Sequence, residues 1–169
     1  IQLVDTPPVT AEHVPSGLMG TIRSADVIAL VVDLASDPLE QIDTIKGLFA
    51  QRELEVRSVE RTRLDRADPG RRAGLIVATK IDLVAPADVE TFIELAGGDL
   101  DVLPISTSTG EGLEALGRRL WELLDVIRVY TKEPGRPADN DRPYTLLSGS
   151  TLEDLATEIH RDLPELMTF

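Results

Sequence analysis

Thr79-Lys80-Ile81-Asp82 carries the most specific chemistry in this sequence. It follows the apolar run Leu75-Ile76-Val77-Ala78, and Ser106-Thr107 closes a second apolar run, Val102-Leu103-Pro104-Ile105. An Asp ending a TKxD or NKxD sequence can accept both the ring N1–H and the exocyclic amine of guanine, while the Lys stem lies along the base. Adenine lacks that donor pair. Ser106-Thr107-Ser108-Thr109-Gly110-Glu111-Gly112 stands at the next strand-to-helix junction, where backbone N–H groups could bind the guanine O6. The bland alternative is a surface ion pair between Lys80 and Asp82 beside a Ser/Thr helix cap.

The phosphate-holding half of such a site is missing from this chain, because no GxxxxGK[S/T] segment occurs in its 169 residues. Asp5-Thr6-Pro7-Pro8-Val9 stands where a GTPase places DxxG, whose Asp holds Mg2+ through water and whose Gly N–H meets the γ-phosphate. Pro8 falls on the Gly position and has no N–H to donate. Val9 falls where a water-orienting Gln often stands, and an apolar side chain cannot orient water by a hydrogen bond. No catalytic residue is therefore assigned. Hydrolysis must lean on a retracted Val9 with a monovalent cation, another residue or a partner. His13 reads as a surface-loop histidine, and His160, placed in the terminal helix, as a structural one.

Positioning these residues takes alternating strands and helices. Ile1-Gln2-Leu3-Val4, Val27 to Val32, Leu75 to Ala78 and Val102 to Ile105 are β-prone, the second continuous enough to be buried on both faces. Leu39, Ile42, Ile45 and Phe49 recur at helical spacing behind Asp37 as cap, Pro38 at the first helical position and Glu40 as capping-box partner. Leu113, Leu116, Leu120 and Leu124 form another stripe, with Trp121 in the core. The alternation predicts an α/β fold with a parallel sheet. Ligands in such a fold gather at the carboxyl ends of the strands, so Asp5, Thr79 to Asp82 and Ser106 to Ser108 are expected to converge there.

The texture changes near Asp125. Ile127 to Thr131 and Tyr144 to Leu147 read as strands around Pro134-Gly135-Arg136-Pro137. A helix should follow, with Ser150 and Glu153 as capping box and Leu152, Leu155, Ile159 and Leu163 as its buried stripe.

Composition narrows the function class. A hydrophobic content of 42% is enough for a sizeable core, and no apolar stretch or signal peptide marks a membrane protein. A cytoplasmic setting is the expectation. With no cysteine, disulfides, thiolate metal sites and Cys nucleophiles are excluded. The net charge of −13 argues against a DNA partner and leaves only local RNA contact. Arg57, Arg61, Arg63, Arg66, Arg71 and Arg72 are interleaved with Glu55, Glu60, Asp65 and Asp68, which reads as a solvated loop or helix edge.

Taken in order, IQLVDTPP, VIALVVDL, ATKIDL, ISTSTGEGLEAL and VIRVYTKEPGRPAD resemble the latter half of an Obg-related GTPase, DRG branch, running into a TGS domain. The resemblance implies an incomplete Ras-like P-loop GTPase sheet over residues 1–125 and the start of a small α+β, ubiquitin-like TGS segment over 126–169. It implies GTP or GDP as ligand, with Thr79, Lys80, Asp82, Ser106, Thr107 and Ser108 around the base and Asp5 linked to Mg2+. It further implies a regulatory, slowly hydrolysing GTPase, with the ribosome or a translation factor met through the TGS domain. Thr79 in place of the usual Asn removes an amide that ties the base loop to the P-loop, although a hydroxyl can do part of that work. Thr107 replaces the usual Ala. Ile1 at the start of a strand-like run, and a short TGS segment, suggest a chain cut at both ends. Pro8 motivates a second expectation, a degenerate GTPase fold acting as a nucleotide-independent protein or RNA interaction module.

Overall fold

The computed structural model describes residues 2–9, 17–60, 70–98, 100–132, 135, 141, 143–160 and 162. Two compact units divide the chain, Ile1–Leu124 and Asp125–Phe169.

The first unit runs α1 (Leu18–Ser24), β1 (Val27–Asp33), α2 (Pro38–Gln51), β2 (Glu55–Arg57), β3 (Arg71–Thr79), a 3-10 turn (Ile81–Leu83), α3 (Pro86–Ala96), β4 (Val102–Pro104) and α4 (Leu113–Leu124). It is a mixed α/β unit whose four described strands are parallel, with β3 in the middle. On one side β1 pairs with β3 in register from Val27↔Ala73 to Asp33↔Thr79. On the other, β2 meets its first residues, at Glu55↔Arg71, and β4 its later ones, at Ile76↔Val102. β3 is longer than its apolar core suggests, because Arg71 and Arg72 look like loop residues until β2 gives them a partner.

Side chains of β3 alternate between two cores, the period of two expected of a strand buried on both faces. Ile76 and Ala78 join α1, α2 and α3 through Leu18, Ile22, Ile42, Phe49 and Phe92. Ala73, Leu75 and Val77 join α4 through Leu123, with Leu116 and Leu120 packed against them. Gly74 is required where β1 and β2 close in, since a Cβ there would lie 2.4 Å from both the Ile28 carbonyl oxygen and Val56 Cγ1.

Several expectations change on this framework. β1 is buried on one face only: Ile28, Leu30 and Val32 enter the core, while Ala29 and Val31 face out, Val31 being 61% exposed. The α4 core takes in only Val27 from β1, so nothing covers the outer pair among the described residues. In α2 half of the expected capping box forms: Asp37 accepts from the Glu40 N–H, but the Glu40 side chain returns no bond to Asp37. Its first apolar residue, Leu39, stays exposed, and Leu48 is buried instead. In α4 the stripe is rotated, with Leu123 fully buried and Leu113 at the exposed start of the helix; Trp121 is half-buried rather than core. Three elements were not foreseen, namely α1, β2 and α3. Only α3 carried a readable signal, Pro86 at its first position with Val89, Phe92 and Ala96 at helical spacing.

The second unit holds β5 (Val126–Val129), antiparallel to β6 (Tyr144–Leu147), and α5 (Leu152–Ile159), which contacts β6. Its capping box is one residue later than expected. Thr151 accepts from the Asp154 N–H, and Asp154 accepts from the Thr151 N–H in return. A carboxylate one methylene shorter than that of Glu closes the same ring. Ala156 is the buried residue of α5, Leu152 and Ile159 are exposed, and Leu163 lies outside the described residues. His160 sits just past the helix end and accepts from the Asp162 N–H.

Candidate functional site

Thr79 is the last residue of β3, and Asp33, the last of β1, is its register partner. Beyond this pair the strands separate, and side chains and loop amides take over the bonding. The Thr79 hydroxyl donates to the Val32 carbonyl at 3.0 Å, and the Leu34 N–H donates to the Thr79 carbonyl at 3.2 Å. The hydroxyl thus ties the motif to β1, a job that an Asn amide would not do from the same atom position.

Lys80 then takes a left-handed conformation, φ 63° and ψ 35°, which breaks the strand and turns the chain into the 3-10 turn. Such a φ is uncommon away from Gly and Asn, and it persists only where neighbours over-determine it. Here they do. Ile81 packs against the main core, the Ile81 N–H donates to the Ile105 carbonyl at 3.4 Å, and the Leu83 N–H donates to the Lys80 carbonyl at 3.0 Å. With Ile81 pointing inward, Lys80 and Asp82 both lie at the exposed surface. The carboxylate of Asp82 has no hydrogen-bond partner among the described residues.

The second loop is held by Ser106, which is fully buried. Its N–H donates to the Glu111 carbonyl at 3.0 Å, its carbonyl accepts from Gly110, and its Oγ accepts from the Thr109 N–H at 3.1 Å. Ser106 therefore shapes the loop and has no N–H to offer outward. The N–H groups of Thr107 and Ser108 have no partner among the described residues, and both residues are exposed. Gly112 closes the loop at φ 76°, where a Cβ would lie 2.3 Å from the Pro104 carbonyl oxygen. The two loops are stitched together, since the Ile105 N–H also donates to the Ala78 carbonyl at 2.8 Å.

Sequence reasoning overlooked Asp33. Its Oδ2 lies 2.5 Å from Lys80 Nζ, and its Oδ1 accepts from the Ala35 N–H at 2.9 Å. The Lys80 hydrogen bond, and then the Ala35 N–H, hold its carboxyl below the usual carboxylate range. Lys80 thus pairs across strands with Asp33, and the ion pair with Asp82 considered from sequence does not form. Gln41 brackets the Asp33 backbone, accepting from its N–H and donating to its carbonyl, both at 3.0 Å. Asp33 was findable by the rule that singled out Asp5, an acidic residue ending an apolar run; Gln41 gave no signal.

Asp5 is not delivered to this edge by a strand. Residues 2–9 are irregular, Leu3 and Val4 are 79% and 63% exposed, and Asp5 is exposed with them. A strand needs a neighbour for its N–H and C=O groups, and no described strand pairs with this run. Val9 is half-buried against the main core. His13 lies outside the described residues, as do Arg61, Arg63, Asp65, Arg66 and Asp68. Of the arginine-rich stretch that remains, Arg57 and Arg71 pair with Glu55, and Arg72 donates to the Arg23 carbonyl. Among the described residues no group of three or more His, Cys, Asp or Glu side chains could hold a metal ion.

Parallel strands with flanking helices, and two stitched loops at the carboxyl ends of β3 and β4, are consistent with a partial P-loop GTPase fold. No family model matches the chain. An uncharacterized GTP-binding protein of Halobacterium salinarum is 30% identical over 164 residues, which is 88% of this chain and 44% of that protein. Developmentally-regulated G-protein 1 of Arabidopsis thaliana is 32% identical over 96 residues, 55% of this chain and 23% of its own length. GTP-binding protein 1 of Schizosaccharomyces pombe is 32% identical over 91 residues, 54% and 24% respectively. The chain's homologues are thus GTP-binding proteins of the DRG kind, and it spans less than half of their length. Among the described residues no helix is long and apolar enough to cross a membrane.

Proposed function

We propose that the loops after β3 and β4 bind the base of GTP or GDP. Asp82 accepts from the guanine N1–H and exocyclic amine, the stem of Lys80 lies along the ring, and the N–H groups of Thr107 and Ser108 meet O6. Thr79 and Ser106 hold the two loops in shape. The observation that carries this reading is the Ile81 to Ile105 hydrogen bond. It joins the loop bearing an exposed carboxylate to the loop bearing the Thr107 and Ser108 N–H groups, none of which has a partner among the described residues. The names of the homologues agree with it.

Base contacts alone are weak. In this class of site most of the affinity comes from phosphate and Mg2+ contacts, and this sequence holds no GxxxxGK[S/T] loop. The 169-residue chain should accordingly favour guanine without binding GTP tightly; submicromolar affinity would overturn that. A lone exposed carboxylate fits Mg2+ held through water rather than a protein cage, and this is the role proposed for Asp5. Together with a phosphate-binding loop, the protein would be a regulatory GTPase of the translation or ribosome-associated type. It would hydrolyse GTP slowly, since Pro8 offers no N–H to the γ-phosphate and Val9 cannot orient water. Residues 126–169 would serve as the partner-binding TGS segment.

Asp82→Asn tests the base reading, because an amide offers one donor and one acceptor where the carboxylate offered two acceptors. Preference should move from guanine toward xanthine by about 5- to 150-fold, the scale of one bidentate base contact. Competition between GDP and XDP measures it, and unchanged guanine preference would sink the assignment. Pro8 supports the second reading, a nucleotide-independent interaction module, in which neither nucleotide is preferred at any concentration.

A further inference from the structure

We propose that Asp33 is a positioning residue for base binding, fixing the far end of Lys80 so that the lysine stem is presented as a preformed ledge for the purine ring. This rests on the guanine reading above and adds a residue to it.

The geometry carries the proposal in three steps. First, the near end of Lys80 is fixed, with its left-handed backbone locked between Thr79, bonded to Val32 and Leu34, and Ile81, bonded to Ile105. Second, the far end is held by a carboxylate that is itself hydrogen-bonded. Asp33 ends β1 in register with Thr79, and its Oδ1 is held by the Ala35 N–H. Gln41 clamps its backbone on both sides and also donates to Ser36 Oγ at 2.7 Å. Third, the side chains remain open to solvent, Lys80 at 51% and Asp33 at 32% exposure. A pair so exposed contributes little to folding, because water and salt screen it.

What the pair can do is restrict the lysine. A free four-carbon stem samples many rotamers, and ordering it against a ligand opposes binding. A stem tethered at both ends has lost that freedom before the ligand arrives, which is preorganisation in the ordinary sense. The stem touches the face of a ring and not its edge, so its ordering should strengthen binding of guanine and xanthine alike, leaving discrimination to Asp82.

Asp33→Asn separates the two duties of the carboxylate, since an amide oxygen still accepts from Ala35 N–H while the charge that holds Lys80 is gone. GDP and XDP affinities for the whole chain, followed by ligand-observed NMR, should both fall by about 2- to 5-fold with their ratio unchanged, the most that so exposed an ion pair can confer. Lys80→Ala should lose at least as much, and Asp33→Asn should cost nothing further in the Lys80→Ala background, the non-additivity of residues acting as one unit. The tether can also be read without nucleotide: the Lys80 ammonium 15N signal should stand apart from that of the exposed Lys132 and move toward it in Asp33→Asn. Full additivity of the two substitutions would overturn the proposal, as would a Lys80 signal unmoved by Asp33→Asn. A changed GDP to XDP ratio would instead give Asp33 a direct base contact and overturn it too. Failure of Asp82→Asn to shift base preference, with the Lys80 coupling intact, would remove the guanine reading while leaving the tether standing.

Discussion

The Ile81 N–H donates to the carbonyl of Ile105, joining two loops that lie more than twenty residues apart in sequence. Both isoleucines point their side chains into the unit, Ile81 toward the α1–α3 core and Ile105 into the α4 core. The edge proposed to read the base is therefore anchored from both faces of the sheet. Changes that loosen either core near β3 should reach the site through this link.

Gly112→Ala should be among the most damaging single changes in the second loop. At φ 76° any Cβ is strained, at a cost of about 1–2 kcal/mol, and this one would collide with the Pro104 carbonyl. Forced displacement of packed backbone adds about 1–3 kcal/mol. Urea unfolding should show a loss of about 2–5 kcal/mol in total, whereas Gly110→Ala, at φ 83° with open space around it, should show only the conformational part.

Leu123 and Leu113 are ten residues apart on one helix and should behave oppositely. Leu123→Ala removes a fully buried side chain between α4 and β3 and should cost about 2–5 kcal/mol. Leu113→Ala, at 41% exposure, should cost less than about 1 kcal/mol. Equal losses in denaturant melts would mean that α4 meets the sheet through a different face.

Thr151→Ala should fray α5, where Ser150→Ala should not. The Thr151 hydroxyl accepts from Asp154 N–H, and losing such a cap costs about 1 kcal/mol. Amide exchange in the first turn of α5 should quicken roughly fivefold in the Thr151 variant if exchange proceeds through local opening.

Glu55 should titrate below the usual glutamate range, first because Arg57 hydrogen-bonds it and then because Arg71 reaches it from β3. A depressed carboxyl stabilises the folded state above its unfolded value, and that contribution is lost as pH falls through the folded one. The stability gap between wild type and Glu55→Gln should hold steady above about pH 5 and narrow progressively as pH falls below the unfolded glutamate value of about 4.3. NMR of the carboxyl carbon should show its titration rising in Arg57→Ala. A gap that widened at low pH would contradict the assignment.

The fold class was legible because its signals are local. Apolar runs of strand length ended in polar loop residues, Asp37 and Pro38 announced α2, and Thr79 to Asp82 has a chemistry that needs no neighbour to be recognised. Strand ends and helix faces were less legible. Arg71 and Arg72 are strand residues only because Glu55 and Val56 stand opposite them. Leu123 rather than Leu113 is the anchor of α4 because Ala73, Leu75 and Val77 lie where Leu123 reaches. Ile1 to Val4 reads as a strand by composition, yet residues 2–4 are irregular where no described strand pairs with them.

By itself, the sequence determined which groups are present: a carboxylate and an ammonium two residues apart at a strand end, a Ser/Thr-Gly loop further on, and no phosphate-binding loop. Those are covalent facts, and the proposed guanine contacts are built from them. Only the tertiary structure decided who holds whom. Lys80 pairs with Asp33 and leaves Asp82 with no partner among the described residues, and Ser106 is buried while Thr107 and Ser108 are exposed. Partners 47 residues apart cannot be paired from spacing along the chain; the parallel register of β1 on β3 brings them to one edge, because hydrogen bonding between strands fixes which residues end side by side.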